Sequence, residues 1–341
     1  IRREWRTFTS TEKANYISAF KCLADKKKNP HSDLLKPQWP RANIPPVDTK
    51  NTSLFDDLVY NHMDQTNMIH YTGYFFPWHR YYLHLHETLL KTKCGYKGVI
   101  PYWDWTKDAA SFNTSQMWDP NPTWGLGGFG DPNNDYTIKD GAFKDMIVGY
   151  PALHKLRRQY TPFPYTAWWW VPRPNEAAAE GIKSNYVQAA INGYEGDFRG
   201  MQNATEKAQA FHANIHMIMG GDMAGTCPKV AGPTCMGGST FTSSEPVFWM
   251  HHGNIDRIWF QWQMKNPMKN ALAFFGGTNM TYSDPAFPNG YAPWAKTSDL
   301  LMTDGLHGLI GEAQPTVQDM LLTFIKPAGR PGLCYIYDWP N

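Results

Sequence analysis

At residues 245–259 the chain reads Glu245-Pro-Val-Phe-Trp-Met-His-His-Gly-Asn-Ile-Asp-Arg-Ile-Trp259, with two adjacent histidines in a largely apolar segment. A second pair, His212 and His216, stands four residues apart. Side chains at this spacing project from the same side of a helical turn, with Cβ atoms about 5–6 Å apart. Because imidazole is the commonest metal ligand in proteins, a histidine from the 245–259 segment can complete a site of three nitrogens.

A further group of histidines lies upstream. Three of the 12 histidines fall in one short stretch, where the sequence reads Tyr60-Asn-His62, Met68-Ile-His70 and Phe75-Phe-Pro-Trp-His79. Aromatic and apolar residues separate them. Two groups of three histidines predict two metal ions in one chain.

The composition is that of a globular protein with a large core. The 341 residues are 42% hydrophobic and 15% aromatic, which suits one large domain or two smaller ones. The 32 Lys and Arg nearly balance the 30 Asp and Glu, so the net charge of +2 gives no electrostatic reason to expect a nucleic-acid partner. The chain has no run of about 18 apolar residues, and we expect neither a membrane-spanning helix nor a membrane partner.

Two features favour an oxidising, extracellular compartment. Cys227 and Cys235 flank a Gly/Pro-rich loop that a disulfide would pin, and Cys22 and Cys94 can form a second bridge, which leaves Cys334 unpaired. Disulfides are typical of secreted proteins, and no signal peptide opens the chain, as expected of a processed protein. Glycosylation sequons occur at Asn51, Asn113, Asn203 and Asn279. We therefore expect a secreted glycoprotein.

Helical periodicity and loop composition predict a mainly α fold. Helices are predicted over Thr11–Asp25, Leu54–Met63, Trp78–Lys91, Ala204–Met219 and Ser243–Met264. Gly-, Pro- and Asn-rich loops separate them, and Leu321–Trp339 is predicted to be strand-like. The sequence thus indicates one domain over residues 1–341, a helical bundle in which four ligand-bearing helices surround the metal site, with long loops and a few short strands.

The ligand type narrows the choice of metal without deciding it. An all-imidazole environment suits Zn, Cu, Fe or Ni. Di-iron bundles use Glu and Glu-x-x-His, and neither histidine group contains a carboxylate at ligand spacing. Copper fits best, because neutral imidazoles can stabilise Cu(I) and still allow Cu(II). A di-zinc hydrolase remains an alternative.

The motifs resemble the type 3 copper family of tyrosinases and catechol oxidases (polyphenol oxidases), above all its short secreted fungal members. His70 and His79 have the His-x8-His spacing of the family's first copper motif, which is followed by Arg. Every fixed position of the second motif is filled: His212, His216, and then residues 245–259. Pro101-Tyr-Trp-Asp-Trp105 is also family-like, and the resemblance covers most of the chain.

The resemblance implies two copper ions and the residues that bind them. The first ion would be bound by His62, His70 and His79, and the second by His212, His216 and His252. His251 then supports the site, and His251 in place of His252 is the less favoured alternative. Asp256, one helical turn after His252, is expected to accept a ring N–H from a ligand. The implied activity is oxidation of o-diphenols (catechols) to o-quinones with reduction of O2 to water, which makes small phenols and O2 the expected partners.

Three departures from the family pattern bear on the substrate. Many fungal tyrosinases have a cysteine, cross-linked to a ligand imidazole, where this chain has Met68, so we expect no thioether. Many enzymes that hydroxylate monophenols have Asn where this chain has Ala213, which cannot hydrogen-bond through its side chain. The residue after the next ligand is the bulky Met217. These residues favour oxidation of o-diphenols or o-aminophenols, and the alternative is a tyrosinase with monophenol hydroxylase activity.

The remaining expectations concern the chain's end and its other aromatic residues. Tyr335 and Tyr337 match the Tyr-x-Tyr that ends the family's catalytic core, with Arg2 or Arg3 as a cation–π partner. No C-terminal shielding domain is expected, which disfavours a hemocyanin-type oxygen carrier. The loops 117–140 and 220–244 are expected to shape the pocket. Interpreted as structural are His31, His84, His86, His154, His307, Phe248 and most tryptophans, including Trp168–Trp170. The alternative for Trp168–Trp170 is an exposed aromatic loop that contacts a partner or a sugar, and for Phe248 it is a substrate contact.

Overall fold

The computed structural model describes residues 1–37, 46–280, 293–324 and 332–338. Its helices are α1 (Ser10–Leu23), α2 (Leu54–Ile69), α3 (Phe75–Cys94), α4 (Ser184–Gly193), α5 (Phe198–Glu206), α6 (Phe211–Met219), α7 (Pro246–Lys265) and the single turn α8 (Pro267–Asn270). Two short strands, β1 (Ile147–Val148) and β2 (His154–Lys155), pair antiparallel, with Val148 opposite His154. Long loops and short 3-10 turns connect these elements, so the mainly α prediction is confirmed.

The local sequence explains where the ligand-bearing helices start. At the head of α2, Ser53 and Asp56 form a capping box, in which each side chain accepts a backbone N–H of the other residue. Helix α7 starts with Pro246, whose missing N–H costs nothing in a first turn. The Glu245 side chain caps it by accepting the N–H of Val247 at 3.1 Å.

Helices α3 and α7 form the centre of the bundle. The rings of Phe76 and Trp259 stack at 5.1 Å with an interplanar angle of 13°. Such aromatic pairs contribute about 0.5–1.5 kcal/mol beyond the burial of their area. One helical turn from each of these rings, the buried Arg80 binds Asp256, and its guanidinium lies 3.6 Å above the Trp259 ring. Packing and charge pairing therefore fix α3 against α7 next to the histidines.

Several predicted boundaries are wrong. The helix predicted over Ala204–Met219 is two helices, α5 and α6, because Gln209 between them adopts a left-handed φ of 63° that an α-helix cannot contain. Helix α3 begins before Pro77 rather than after it, since proline is tolerated in the first turn. Helix α2 extends to Ile69, and α4 was not predicted.

The predicted C-terminal strand is wrong in the part that the structure describes. Residues 332–338 are extended, but they form only an isolated parallel bridge between Tyr337 and Arg2. The Arg2 guanidinium lies 3.5 Å from the centroid of the Tyr335 ring, which confirms the cation–π expectation for Arg2. The rest of the predicted strand, residues 325–331 and 339, lies outside the described residues.

The cysteines pair as expected. Cys22 is bonded to Cys94, which ties α1 to the end of α3, and Cys227 is bonded to Cys235. Cys334 is free and exposed. Across the described ranges, no helix combines the length and the apolar character that a bilayer crossing requires.

Candidate metal centre

The first histidine group is formed by α2 and α3. His62 on α2, His70 directly after it and His79 on α3 have ring centroids 5.1–5.7 Å apart. One ring nitrogen from each lies within 4.8 Å of the others. All three side chains are buried, with exposed fractions of 0%, 6% and 3%.

Backbone carbonyls fix the orientation of these three rings. Each Nδ1 lies 2.8–2.9 Å from a carbonyl oxygen, of Thr240 for His62, Thr66 for His70 and Phe75 for His79. A carbonyl can only accept, so each Nδ1 carries the proton and each Nε2 keeps its lone pair. An N–H bound in this way sets the tautomer and the ring orientation that a metal ligand needs.

The second histidine group contains four residues. His212 and His216 on α6 and His251 and His252 on α7 each offer a nitrogen within 4.8 Å of the other three. The Nε2 atoms of His212 and His216 are 3.2 Å apart. The Nδ1 of His216 donates to the carbonyl of Met223 at 2.9 Å, so its Nε2 lone pair also faces the group.

The two groups adjoin and form one centre. The rings of His79 and His252 stack at 4.4 Å with an interplanar angle of only 10°. The rings of His70 and His212 are 6.3 Å apart. Within the described residues, these two pairs are the histidine ring contacts between the groups. The His251 ring contacts the histidines of its own group and lies 6.4 Å from that of Trp105.

Burial keeps the histidines neutral. Desolvation lowers the pKa of His70 and of His216 to about 4. The pKa values of the other five histidines are lowered well below the ordinary value by burial first and by neighbouring histidines second. Neutral imidazole is the form that binds metals.

Unpartnered nitrogens test whether a metal fits. Within the described part of the chain, Nε2 of His62, Nε2 of His79 and both ring nitrogens of His251 and His252 are buried without a hydrogen-bond partner. A buried polar atom left in this state costs about 1–3 kcal/mol. Metal coordination removes that cost, and an all-imidazole donor set accepts copper. The residues present therefore fit the predicted metal.

Aromatic side chains enclose the two groups. Phe248 is fully buried, and its ring lies 4.2 Å from that of His252 and 5.3 Å from that of His62. Phe75 contacts His79 at 4.8 Å and His212 at 5.0 Å. Phe248 thus packs beneath the histidines, in agreement with the packing interpretation.

The role expected of Asp256 is wrong. Its carboxylate accepts hydrogen bonds at 2.5 Å from each of three groups, Nε of Arg80 and the hydroxyls of Tyr335 and Tyr337, and one at 3.5 Å from Arg2. One turn further along α7 than His252, Asp256 is held by groups of α3 and of the terminal segments. It joins α7, α3 and the terminal segments instead of orienting a ligand.

A cavity of about 610 Å³ opens onto the centre. Its wall includes three of the predicted ligands, His70, His212 and His216, and the two residues beside them, Ala213 and Met217. The prediction that Ala213 and Met217 lie at the substrate side is consistent with this position. Met68 is half-buried against the core.

The walls of this cavity differ from the expected ones. Residues 224–227, 237, 238 and 242 contribute to it, as predicted for the loop 220–244. None of the residues 117–140 lines it in the described structure, and the segment 165–170 does so instead. The interpretation as core is wrong for Trp169 and Trp170, which are 89% and 58% exposed, whereas Trp168 is half-buried against the core.

Sequence reasoning also missed Glu206. This carboxyl group is buried beside the cavity, where it accepts hydrogen bonds from the N–H of Tyr71 and from the Gln202 amide. Burial raises the pKa of Glu206 to about 8. Its position at the end of α5, outside both motifs, gave no signal of its proximity to the site.

Comparison with known proteins identifies the family. Residues 52–265, which include both histidine groups, match the common central domain of tyrosinase. The chain belongs to the tyrosinase family. This family consists of type 3 copper proteins and is a family of oxidoreductases. Both histidine groups of this tyrosinase-family chain lie within the matched residues.

Relatives with curated names agree with this assignment. The chain is 29% identical to the tyrosinase-like protein phomQ1 of Diaporthe leptostromiformis over 78% of its own length and 62% of the relative's. It is also 29% identical to the N-acetyl-6-hydroxytryptophan oxidase ivoB of Emericella nidulans, over 77% of this chain and 74% of that one. The chain thus spans less than two thirds of the length of phomQ1.

Among solved structures, a polyphenol oxidase variant from Thermothelomyces thermophila has the same fold. The superposition gives a TM-score of 0.70 and covers 99% of this chain and 88% of that one, at 22% sequence identity. The helical fold inferred from the sequence is therefore that of a solved tyrosinase-family protein.

Proposed function

We propose that this protein is a di-copper oxidase that converts o-diphenols (catechols) to o-quinones and reduces O2 to water. The observation that carries the proposal is the pair of adjoining groups of buried, neutral histidines, with unpartnered nitrogens, at the base of an open cavity. Two catechols give up four electrons and four protons, which convert one O2 to two waters. Bound copper would supply the one-electron redox steps of this exchange.

The proposed ligands are His62, His70 and His79 for one ion and His212, His216 and His252 for the other. His252 is preferred to His251 because its ring is stacked on His79, the ligand at the equivalent position of the facing helix. The His251 ring stacks on His212, and among the described residues its ring contacts are with members of its own group and Trp105. His251 then supports the rings of its neighbours.

The protein's own contribution is to orient the histidine rings and to exclude water from the side away from the cavity. The carbonyls that accept from Nδ1 of four ligands hold the rings in one tautomer, so that Nε2 faces the ions. Phe248 and Phe75 fill the space behind the rings. An apolar enclosure of this kind keeps water from the far side and leaves the cavity as the approach for a phenol.

Oxidation of o-diphenols is favoured over hydroxylation of monophenols by the residues at the cavity wall. Ala213 and Met217 offer no side-chain hydrogen bond to a water that could deprotonate a phenol. Oxidation of o-aminophenols remains compatible with the same pocket. The name of the relative ivoB indicates that a member of this family oxidises a hydroxyindole, so a tyrosinase-type or fused-ring substrate is the second candidate.

We further propose that the protein is secreted, with residues 1–341 forming a single catalytic domain. Two disulfides suit an oxidising compartment. The four sequon asparagines, Asn51, Asn113, Asn203 and Asn279, are half-buried or exposed, where a glycan can be attached. Loss of mass on treatment of the natively produced protein with an N-glycosidase tests glycosylation.

Copper analysis and quinone formation test the function together. The copper-loaded protein is expected to hold two copper ions per chain and to convert 4-tert-butylcatechol to its quinone with consumption of O2. Copper without quinone formation would indicate an oxygen carrier, and two zinc ions in the natively produced protein would indicate a hydrolase. Either result contradicts the proposal.

Three variants test the ligand assignment. His252→Ala is expected to lose one copper ion and all oxidation. His84→Ala is the matched control, because His84 is a half-buried α3 residue that pairs with Glu312 at 3.1 Å. This variant should keep both copper ions and its oxidation activity. If His251→Ala loses one copper ion while His252→Ala keeps two, the assignment of the two neighbours is reversed.

A further inference from the structure

The cavity above the histidines is larger than a simple catechol requires. Its volume is about 610 Å³. Pockets of roughly 300–1,000 Å³ enclose drug-sized ligands, and a single-ring diphenol in contact with the histidines would fill only a small part. The remaining space is bounded by a cluster of aromatic side chains, Tyr165, Trp168 and Trp170, here called the aromatic wall.

The aromatic wall has an ordered geometry. The rings of Trp168 and Trp170 stack at 5.3 Å with an interplanar angle of 17°, and Tyr165 meets Trp168 edge-on at 5.2 Å. Trp170 is 58% exposed, so a large apolar surface faces solvent at a cavity edge. Tryptophan is one of the residue types enriched at positions that dominate binding energy.

The wall is attached to a ligand-bearing helix. The buried Tyr165 donates its hydroxyl hydrogen to Oδ1 of Asn214 at 2.8 Å, and Asn214 lies on α6 between His212 and His216. The backbone N–H of Trp168 donates to the carbonyl of Tyr165 at 2.8 Å. The position of the tryptophan pair is therefore set relative to the histidines rather than left to a loose loop.

The charge of the cavity restricts what can lie against the wall. The residues that line it include no Lys, Arg or Asp, and the one carboxyl group, Glu206, already accepts hydrogen bonds from Gln202 and from the N–H of Tyr71. An anionic group of the substrate would find no Lys or Arg among the described lining residues, and both oxygens of Glu206 already accept hydrogen bonds. Flat apolar faces match a neutral ring.

We propose that Trp168 and Trp170 form a second subsite that binds a distal aromatic ring of a neutral phenol with two or more rings. This inference rests on the proposed function, because it places the o-diphenol end of the same molecule at the histidines. The substrate class is then a multi-ring o-diphenol rather than a free single-ring catechol. The distal ring lies on the exposed face of Trp170, and Trp168 supports that face from behind.

Turnover of two matched substrates tests the subsite. For the wild-type protein kcat/KM is expected to be about 10-fold higher for 4-benzylcatechol than for catechol, since one aromatic contact and its burial are added. Trp170→Ala should lower kcat/KM for 4-benzylcatechol about 10-fold and change it less than about twofold for catechol. An equal change in kcat/KM for both substrates, or no change for either, would overturn the proposal.

A matched control separates the subsite from any exposed aromatic pair. Trp294 is 50% exposed and its ring lies 4.7 Å from that of Phe275 at a tilt of 31°, but it does not line the cavity. Trp294→Ala should leave the ratio of kcat/KM for 4-benzylcatechol to kcat/KM for catechol as in the wild type. If this variant loses as much of the preference for 4-benzylcatechol as Trp170→Ala does, the preference does not come from the aromatic wall and the proposed subsite is wrong.

Binding without oxidation distinguishes failure of the subsite from failure of the proposed function. Resorcinol and 4-benzylresorcinol cannot form o-quinones, and their binding to the copper-loaded protein under argon can be followed by calorimetry. The benzyl compound should bind about 10-fold more tightly, and Trp170→Ala should remove that difference. Such a result supports the subsite even if catechol is not oxidised, whereas equal binding of both compounds to the wild type refutes it even if catechol is oxidised. If Trp170→Ala weakens the binding of a catechol glucoside but not that of 4-benzylcatechol, the aromatic wall binds a sugar, and the assignment of a distal aromatic ring to it is wrong.

Discussion

Replacement of Asp256 by Asn is expected to destabilise the protein without removing copper. The Asp256 carboxylate is buried and neutralises Arg80, which is itself fully buried. It also accepts hydrogen bonds from Tyr335 and Tyr337. Asparagine has the same shape but no charge, and its NH2 group presents a donor where the carboxylate accepted.

The expected loss follows from the state in which Arg80 is left. Removing one partner of a buried ion pair costs about 3–5 kcal/mol. Arg80 keeps hydrogen bonds to the carbonyls of Met320 and Leu321 at 2.9 Å and to Gln263 at 3.1 Å, which places the loss at the lower end of this range. For a chain of 341 residues the unfolding entropy is about 0.7 kcal/mol per kelvin, so Tm should fall by about 4–6 °C.

Thermal unfolding and copper analysis on the same sample provide the test. The control is Glu180→Gln, which breaks the exposed pair of Glu180 with Lys183 and should change stability by less than about 0.5 kcal/mol. Tyr337→Phe removes the hydrogen bond donated to Asp256 and the longer one accepted from Arg2 at 3.3 Å, and its loss of stability should lie between the two, at about 1.5–3 kcal/mol.

Two results would refute this reasoning. A fall in Tm no larger than that of Glu180→Gln would show that the network around Asp256 contributes little to stability. A folded Asp256→Asn protein that retains only one copper ion well below its Tm would show that Asp256 positions a ligand after all.

Three further predictions concern the cavity, a disulfide and a buried carboxyl group. Ala213→Asn should raise the rate on tyrosine relative to catechol several-fold, because the amide can hold a water beside the phenol, and an unchanged ratio in side-by-side assays contradicts the hydrogen-bond argument. The double variant Cys22→Ser/Cys94→Ser opens a bridge across 72 residues and should lose about 4–4.5 kcal/mol in chain-entropy terms. Urea unfolding measures that loss, and oxidation of catechol at low temperature should persist. Burial raises the pKa of Asp57 from 3.8 to about 6, so the folded state holds this proton more tightly and its stabilising contribution, complete below about pH 4, is lost as the pH rises through about 6. Asp57→Asn should therefore flatten the decline of the urea midpoint over that pH window, and identical slopes would show that another group titrates there.

Local patterns made the histidine groups predictable from the sequence. The i, i+4 spacing of His212 and His216 and the dense motif at 245–259 depend only on neighbouring residues, and the structure brings those residues together. Both disulfides were also correctly paired. The ends of α2 and α3 were less well predicted, because helix extension past Met63 and before Pro77 depends on tertiary packing.

Long-range contacts account for what the sequence did not reveal. Asp256 is held by residues from both ends of the chain, and nothing local to α7 signals those partners. The carbonyls that orient the histidines belong to the backbone, which has no sequence signature. The exposure of Trp169 and Trp170 likewise contradicts the usual burial of tryptophan, and only the course of the chain across the cavity reveals it.

The parallel stacking of His79 on His252 links the spacing of the two histidine groups to the packing of α3 against α7. Both groups consist of histidine, so within the described residues no shared carboxylate links one group to the other. Any sliding of α3 along α7 would therefore change the distance between the groups directly. The Phe76–Trp259 stack lies one turn from His79 on α3 and two turns from His252 on α7, and it opposes that sliding. In the proposed two-copper centre, the distance between the ions would therefore depend on helix packing, and a change in core volume far from the cavity would alter it.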